Sequence, residues 1–189
     1  MPATERLVLR RWREADLAPF AALNADPVVM QYFPGILPRD RSDAMVERMD
    51  AHLAVRGWGL WALEVPRVTP FAGFVGLATA DHVLRWPAIE VGWRLDRTHW
   101  GQGYATEGVH EALRVGFQTL GLDEIVSFTV AGNVRSRAVM ERLGMTCHPS
   151  DDFDNPNVNA AAYRTWFATS CTGSRRRRIP DKSQLMTAA

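Results

Sequence analysis

Three short stretches of this chain carry residue types whose spacing can do chemistry. The first is residues 100–105, WGQGYA, where Gly101 and Gly103 directly precede a helical pattern. Glycine removes the Cβ and lets a ligand approach the backbone. The free N–H groups of a first helical turn then form an anion site, aided by the helix dipole. An ordinary tight connection explains a lone G-x-G equally well. This one is neither a phosphate loop continuing into Gly-Lys-Ser/Thr nor a full G-x-G-x-x-G. The second stretch is residues 133–145, NVRSRAVMERLGM, in which Asn133 and Ser136 stand one helical turn apart and can point the same way. Asparagine at a helix start is also an N-cap, a sufficient structural reason for it. The third is Glu90, within a stretch that leads to the glycine turn. A carboxylate there can take a proton from an amine if its pKa is moved toward neutral, or it can simply pair with Arg94.

These residues need elements to hold them. In Ile89–Leu95, the residues Ile89, Val91, Trp93 and Leu95 alternate with Glu90, Gly92 and Arg94, the period of a strand. After the turn, Ala105, Val109, Ala112, Leu113, Gly116, Phe117 and Leu120 recur three or four residues apart, the period of a helix. The unit is therefore strand, glycine turn, helix. Upstream, residues 6–12 read as an opening strand, and Leu17, Phe20, Ala21 and Leu23 mark a helix over 14–23. Asp26-Pro27 breaks that helix and caps a short one as far as 30–32. Asp40 or Ser42 is expected to cap a second long helix that Gly57 ends, with Met45, Val46, Met49 and Leu53 facing inward. Residues 58–65 and 71–78 look like a strand pair joined through 66–70. Downstream come a strand at Glu124–Val130, a turn at Gly132-Asn133, a helix over 134–143 stopped by Gly144, and a strand from 145 to 148. Strands and helices in this order give an α/β sheet sandwich, with no internal repeat and no linker.

Taken together, the glycine turn and the 133–145 stretch resemble the GCN5-related N-acetyltransferase (GNAT) superfamily, over residues 4–154. The turn is similar to its R/Q-x-x-G-x-G/A loop, with Gly103 and Ala105 at the small positions and Trp100 where Arg or Gln is usual. WGQGYATEG and the N-x-x-S-x-x-x-x-x-x-L-G-M pattern resemble the branch that acetylates ribosomal-protein N-termini, with its relatives of other specificity. The resemblance implies a single-domain GNAT fold over residues 1–171, a mixed splayed β-sheet flanked by helices on both faces. It implies acetyl-CoA as co-substrate, held in the gap between the central strands. Backbone groups of Gln102, Gly103, Tyr104, Ala105 and Thr106 would hold its pyrophosphate. The main chain of Leu95, Asp96 and Arg97 would pair with the pantetheine arm like an added strand. Asn133 would hold that arm, Ser136 would lie near the sulfur, and Glu90 would be the catalytic base. Many members place a tyrosine acid seven residues after the asparagine. Here that residue is Met140, so Ser136 or a water must serve the thiolate. Arg97, His99 and Gln102 are candidates for side-chain contacts to phosphate, with plain surface polarity as the alternative. Tyr32, Phe33, Trp58 and Trp61 are candidates for acceptor contacts, with core packing the commoner use of such residues. The end of the chain departs from the branch. Residues 163–167 are the candidates for its closing strand, and from Thr172 a polar tail without periodicity is expected to be mobile.

Composition narrows the class further. A chain of 189 residues, 47% of them apolar, fits one globular domain with a real core. Its net charge of +1 gives no general pull toward nucleic acid or an anionic membrane. The four arginines at 175–178 read as solvated. Cys147 and Cys171 are far apart and read as free thiols of a reducing compartment, and the five histidines have no ligand spacing, so no metal is expected. The N-terminus carries charges where a signal peptide needs an apolar run, and no run is long enough to span a bilayer, so a cytoplasmic protein is expected. The expected reaction moves an acetyl group from acetyl-CoA to a primary amine. A protein N-terminal α-amine, with a pKa of about 7.7–8.0, is roughly a tenth neutral at pH 7, whereas lysine at about 10.4 is nearly all charged. A small amine such as an antibiotic or polyamine stays open as acceptor, as does a non-catalytic acyl-CoA-binding module. A homodimer is compatible with the sequence.

Overall fold

A computed structural model of the chain describes residues 1–80, 87–148, 152–154 and 162–169. Strand β1 (Val8–Arg10) is followed by a 3-10 turn at Glu14–Asp16 and helix α1 (Leu17–Ala25). Asp26 ends α1 and caps α2 (Pro27–Met30), its carboxylate accepting from the Val28 N–H at 2.8 Å. Helix α3 (Arg39–Arg56) starts earlier than expected. Pro38 takes the cap position, Asp40 falls inside the first turn, and the buried Ser42 hydroxyl accepts from Asn24 Nδ2 at 2.8 Å. Neither Asp40 nor Ser42 is the cap, because the serine is used in a contact between helices that no local pattern reveals.

Then follow β2 (Leu60–Val65), β3 (Thr69–Thr79), β4 (Ile89–Leu95), α4 (Tyr104–Arg114) with a π-helical last turn at Val115–Thr119, and β5 (Glu124–Val130). Helix α5 (Val134–Arg142), β6 (Thr146–Cys147), β7 (Phe153–Asp154) and β8 (Ala162–Thr169) complete the described chain. The sheet runs β1-β2-β3-β4-β5-β8-β6, with β7 also on β8. All neighbours are antiparallel except β4 and β5, which are parallel and joined by the α4 crossover. The closing strand is β8, which contains residues 163–167 and pairs with β5 along its whole length, from Glu124↔Thr169 to Val130↔Tyr163. Cys171, the arginines at 175–178 and the expected tail lie outside the described residues. Among the described residues, no helix is long and apolar enough to cross a membrane.

The sheet has two differently used faces. In the β3–β4 register, Phe74 stands opposite Arg94 and Val75 opposite Trp93. The Phe74 face packs under α1, where Trp12, Phe20, Phe71 and Phe74 stack at centroid distances of 5.0–6.5 Å. The Val75 face receives α4, which lies so close at Gly108 that an added Cβ would stand 3.1 Å from Val75 Cγ1. A buried ion pair ties β1 to its surroundings. Arg10 donates to both Asp16 oxygens at 2.7 and 2.8 Å and to Glu64 at 2.7 Å. Burial works against its charge, but the two carboxylates outweigh that and hold its pKa above the ordinary value.

The end of β4 is fixed by Gly73, at φ 136° directly opposite Leu95. A Cβ there would press on the Arg94 carbonyl and stand 2.7 Å from Leu95 Cα, both backbone atoms that cannot swing away. Strain and overpacking of this kind cost about 2–4 kcal/mol together. Gly73→Ala is expected to lower stability by that amount, read as the shift in a urea unfolding midpoint at constant slope.

Candidate active site

Strands β4 and β5 share one bridge, Glu90↔Val126, and then part. Beyond it they make no further pair toward Leu95 and Val130, and a cleft of about 1010 Å³ lies at the end of β4, between the glycine turn and the start of α5. Its walls are the end of β4 (Trp93, Arg94, Leu95), the glycine turn with the start of α4, and the start of α5.

The glycine turn is built from backbone conformation. Gly101 and Gly103 have φ of 76° and 81°, the left-handed region where a side chain is strained. Gly103 caps α4 without any side-chain partner, and its carbonyl accepts from the Glu107 N–H at 3.0 Å. That leaves the N–H groups of Tyr104, Ala105 and Thr106 without helical acceptors, in residues that line the cleft. They form a cradle for an anion at the positive end of the helix dipole.

Side chains surround this cradle with positive charge. Arg6 donates to the Gln102 carbonyl at 3.1 Å and to Glu107 at 2.7 Å, and its guanidinium stands 5.2 Å from the Tyr104 ring centre. Partial burial of Glu107 works against its charge, but hydrogen bonds from Thr4 and Arg6 hold its carboxyl below the usual range. Trp100, in place of the usual Arg or Gln, has a double role. Its indole N–H donates to the Leu95 carbonyl at 2.9 Å, and the Arg135 guanidinium lies over its ring at 4.5 Å. The cation missing from position 100 is thus carried there by α5. His99, His110 and Arg142 also line the cleft.

On α5, Asn133 is the N-cap. Its Oδ1 accepts from the Ser136 N–H at 3.2 Å, and its Nδ2 donates to Thr129 Oγ1 at 3.0 Å. Both residues line the cleft, and the Ser136 hydroxyl has no hydrogen-bond partner among the described residues. Met140 is fully buried in the core, so that position could present no acid to the cleft. Across the cleft, the Tyr32 hydroxyl donates to the Gly132 carbonyl at 3.0 Å, and Phe33 lies under the Arg94 guanidinium at 4.0 Å.

Several expected side chains stand elsewhere. Trp61 is a core residue, 2% exposed, and Trp58 packs edge-on against His52 at 4.9 Å, so neither reaches the cleft. Apolar burial claims both, the usual fate of a tryptophan beside a strand. Asp96 is taken up by Thr98, accepting from its N–H at 2.8 Å and its hydroxyl at 2.6 Å, while Arg97 pairs with Asp26 at 3.2 Å. Gln102 offers its carbonyl to Arg6 and its side chain does not line the cleft. The Leu95 carbonyl is occupied by Trp100, and the Asp96 N–H by the Ala72 carbonyl. The Asp96 N–H is thus used within the sheet, while the Leu95 carbonyl keeps a second lone pair for the added-strand pairing expected at 95–97.

Glu90 stands half-buried at the bridge itself, behind the residues that line the cleft and not among them. It does not pair with Arg94, whose Nη1 donates to Asn24 Oδ1. Burial alone pushes the Glu90 carboxyl up to about 8. Arg6 and Arg135 were not singled out by sequence reasoning. Arg135 lies inside the NVRS stretch and was available there, whereas Arg6 reaches the turn only through the fold.

A mixed sheet splayed at its one parallel pair, with an anion cradle at the start of the crossover helix, is the architecture of an acyl-CoA-dependent N-acetyltransferase. The acetyltransferase (GNAT) domain matches residues 6–146, and the chain belongs to this family of N-acetyltransferases. The YkkB protein of Bacillus subtilis is 30% identical over 85% of this chain and 92% of its own. The FsC-acetyl coenzyme A-N(2)-transacetylase of Aspergillus fumigatus is 33% identical over 66% of this chain and 55% of its own. The crystal structure of an acetyltransferase from Agrobacterium tumefaciens superimposes with a TM-score of 0.74 at 26% identity, over 89% of this chain and 93% of that one. Two others share the fold at lower identity. A spermidine N-acetyltransferase from Vibrio cholerae, in complex with CoA and spermine, has a TM-score of 0.68 at 20% identity over 88% and 96% of the two chains. The ribosomal L7/L12 α-N-protein acetyltransferase RimL, in complex with coenzyme A, has 0.67 at 17% over 89% and 96%.

Forcing a side chain into the left-handed conformation of Gly103 displaces the N–H groups of residues 104–106 that would hold pyrophosphate. That strain is about 1–2 kcal/mol, close to a tenfold loss of affinity. Gly103→Val is expected to raise the acetyl-CoA Kd about tenfold by calorimetry where the turn relaxes, and to lower stability by up to about 1–2 kcal/mol where it does not.

Proposed function

We propose that the chain acetylates a primary amine by direct attack within a ternary complex, and that a protein N-terminal α-amine is the favoured acceptor. The observation that carries this reading is Glu90, a carboxyl pushed to about 8 by burial at the bridge where β4 and β5 fork. A carboxylate base raised toward neutral suits an α-amine, with a pKa of about 7.7–8.0, better than a lysine at about 10.4. Proton transfer between matched groups needs little driving force, so Glu90 can take the proton directly or through one water. The neutral amine attacks the thioester carbonyl, a C–N bond forms and the C–S bond breaks. The departing thiolate accepts a hydrogen bond from the Ser136 hydroxyl, which has no competing partner among the described residues, and the proton shed by the nitrogen as the amide forms ends on the sulfur through this hydroxyl or a water. No nucleophile–base pair suggests a covalent acyl-enzyme, and holding both reactants in one cleft supplies a large part of the rate.

The activities of the two neighbours define the rival acceptors, a polyamine and a ribosomal-protein N-terminus. Free-thiol release is the readout. A peptide with a free α-amine is expected to outrun both an N-blocked lysine peptide and spermidine, and a preference for spermidine would reverse the assignment.

The pH dependence follows from the sign of the Glu90 shift. The base form accumulates only above its raised pKa, so kcat/KM should climb as pH passes through about 8. Glu90→Gln is expected to lower kcat about 10²–10⁴-fold and to abolish that limb, while acetyl-CoA affinity is kept. Unchanged turnover in this variant would remove Glu90 from the mechanism.

A further inference from the structure

Arg94 is the least compensated charge at the site. The residue is 9% exposed and lines the cleft. Its guanidinium makes one hydrogen bond, from Nη1 to the neutral amide oxygen of Asn24, and Asn24 passes the contact on to Ser42. Its Nε is buried with no partner. Two rings, Phe33 at 4.0 Å and Phe74 at 5.5 Å, cover its faces. No carboxylate lies within ion-pair distance among the described residues, Glu90 included. Arg10 is buried to the same degree or more, yet it holds two carboxylates and two backbone carbonyls. A buried cation that is paired neither by charge nor by a full set of acceptors leaves an electrostatic need unmet. Stacked between rings with one edge unfilled, its planar fork is shaped for a carboxylate.

The anion that fills it comes from the acceptor side. Arg94 lies on the Phe74 face of the sheet, with Asn24 of α1 and Phe33, which follows α2. The anion cradle at the start of α4 belongs to the helix packed on the opposite, Val75 face. Glu90 is on the Arg94 face of the same strand, four residues away, so the two Cα atoms are about 13 Å apart. We propose that Arg94 binds a carboxylate of the acceptor, so that the substrate is an acidic amine, with its amine at Glu90 and its carboxylate at Arg94. This rests on the transferase reading above and names the class of its acceptor. An extended peptide that spans the distance would carry its acidic side chain within the first few residues. A flexible amino acid with amine and carboxylate at opposite ends has the same chemistry. A polyamine has the wrong charge for Arg94.

The test uses the full chain loaded with acetyl-CoA and two probe sets. One is a peptide with a free α-amine in which Glu replaces Gln at positions two to five in turn. The other is a series of ω-amino carboxylates with their carboxamides. Binding is read by calorimetry, turnover by thiol release, and the affinity for acetyl-CoA is measured separately. At least one carboxylate probe is expected to bind tenfold or more tightly than its amide partner. Arg94→Gln should erase that preference without changing acetyl-CoA affinity, and Arg94→Lys should keep part of it. Asn24→Asp gives an independent arm, because it places a carboxylate of unchanged shape against Nη1. It should stabilise the fold and remove the preference by filling the guanidinium from within.

No preference in the wild type overturns the proposal. So does a loss of acetyl-CoA affinity in Arg94→Gln with the preference intact, which would assign the charge to the cofactor's phosphates. So does a preference that survives Arg94→Gln in folded protein, which would leave Arg94 as packing between two rings. Carboxylate preference without thiol release from any amine would sink the transferase reading instead and leave the anion site standing. Peptide and amino-acid probes that differ in this response identify which source the site takes.

Discussion

The site exists because two parallel strands share a single bridge. At Glu90↔Val126, β4 and β5 are paired neighbours, and a few residues later the end of β4 borders a cleft of about 1010 Å³ that the start of α5, which follows β5, closes from the other side. Parallel strands cannot be joined by a tight turn, so the crossover must carry α4 from the end of one to the start of the other. That places the helix's unpaired N–H groups at the mouth of the gap. An unpaired strand edge inside a protein has its own need for hydrogen-bond partners. A long amide-bearing cofactor arm with phosphates at one end is the kind of molecule that meets both needs at once. The bridge holds Glu90, the one carboxyl among the described residues that burial moves to the working range.

Charge is distributed by the same logic. Arg10, Glu107 and Asp50 are each matched by opposite charge, and they fasten the N-terminal strand segment to the rest of the fold. The cleft differs. Arg135 over Trp100, with His99 and Arg142 nearby, leaves positive charge facing the cavity beside the anion cradle. On the other face of the sheet Arg94 is held by rings and an amide. A fold that satisfies one buried guanidinium and leaves a second one open has put the second where a ligand can complete it.

Much of this was legible in the sequence because it is local. The alternation over Ile89–Leu95, the G-x-G before a helical period and the Asn133–Ser136 spacing each belong to one element, and the strand, turn and helix follow them closely. Glu124–Val130 was bounded correctly for the same reason. What failed depends on contacts across the chain. Ser42 reads as a cap until Asn24, 18 residues away, is seen to claim it. Trp61 reads as either an acceptor contact or a core residue until its register opposite Val75 places it in the core. Arg97 and Arg6 are alike in type, yet Asp26 holds one while the fold brings the other to the glycine turn, 96 residues on. The substitution of Trp100 for a charged residue becomes intelligible only when Arg135 is found on its ring.

The most direct test of this account is a crystal structure of the protein with acetyl-CoA. Pyrophosphate oxygens are expected within about 3 Å of the N–H groups of residues 104–106, with the arm running down the fork and the acetyl carbonyl between Glu90 and Ser136. A cofactor bound with its phosphates away from that turn, or with its acetyl group outside the fork, would contradict it.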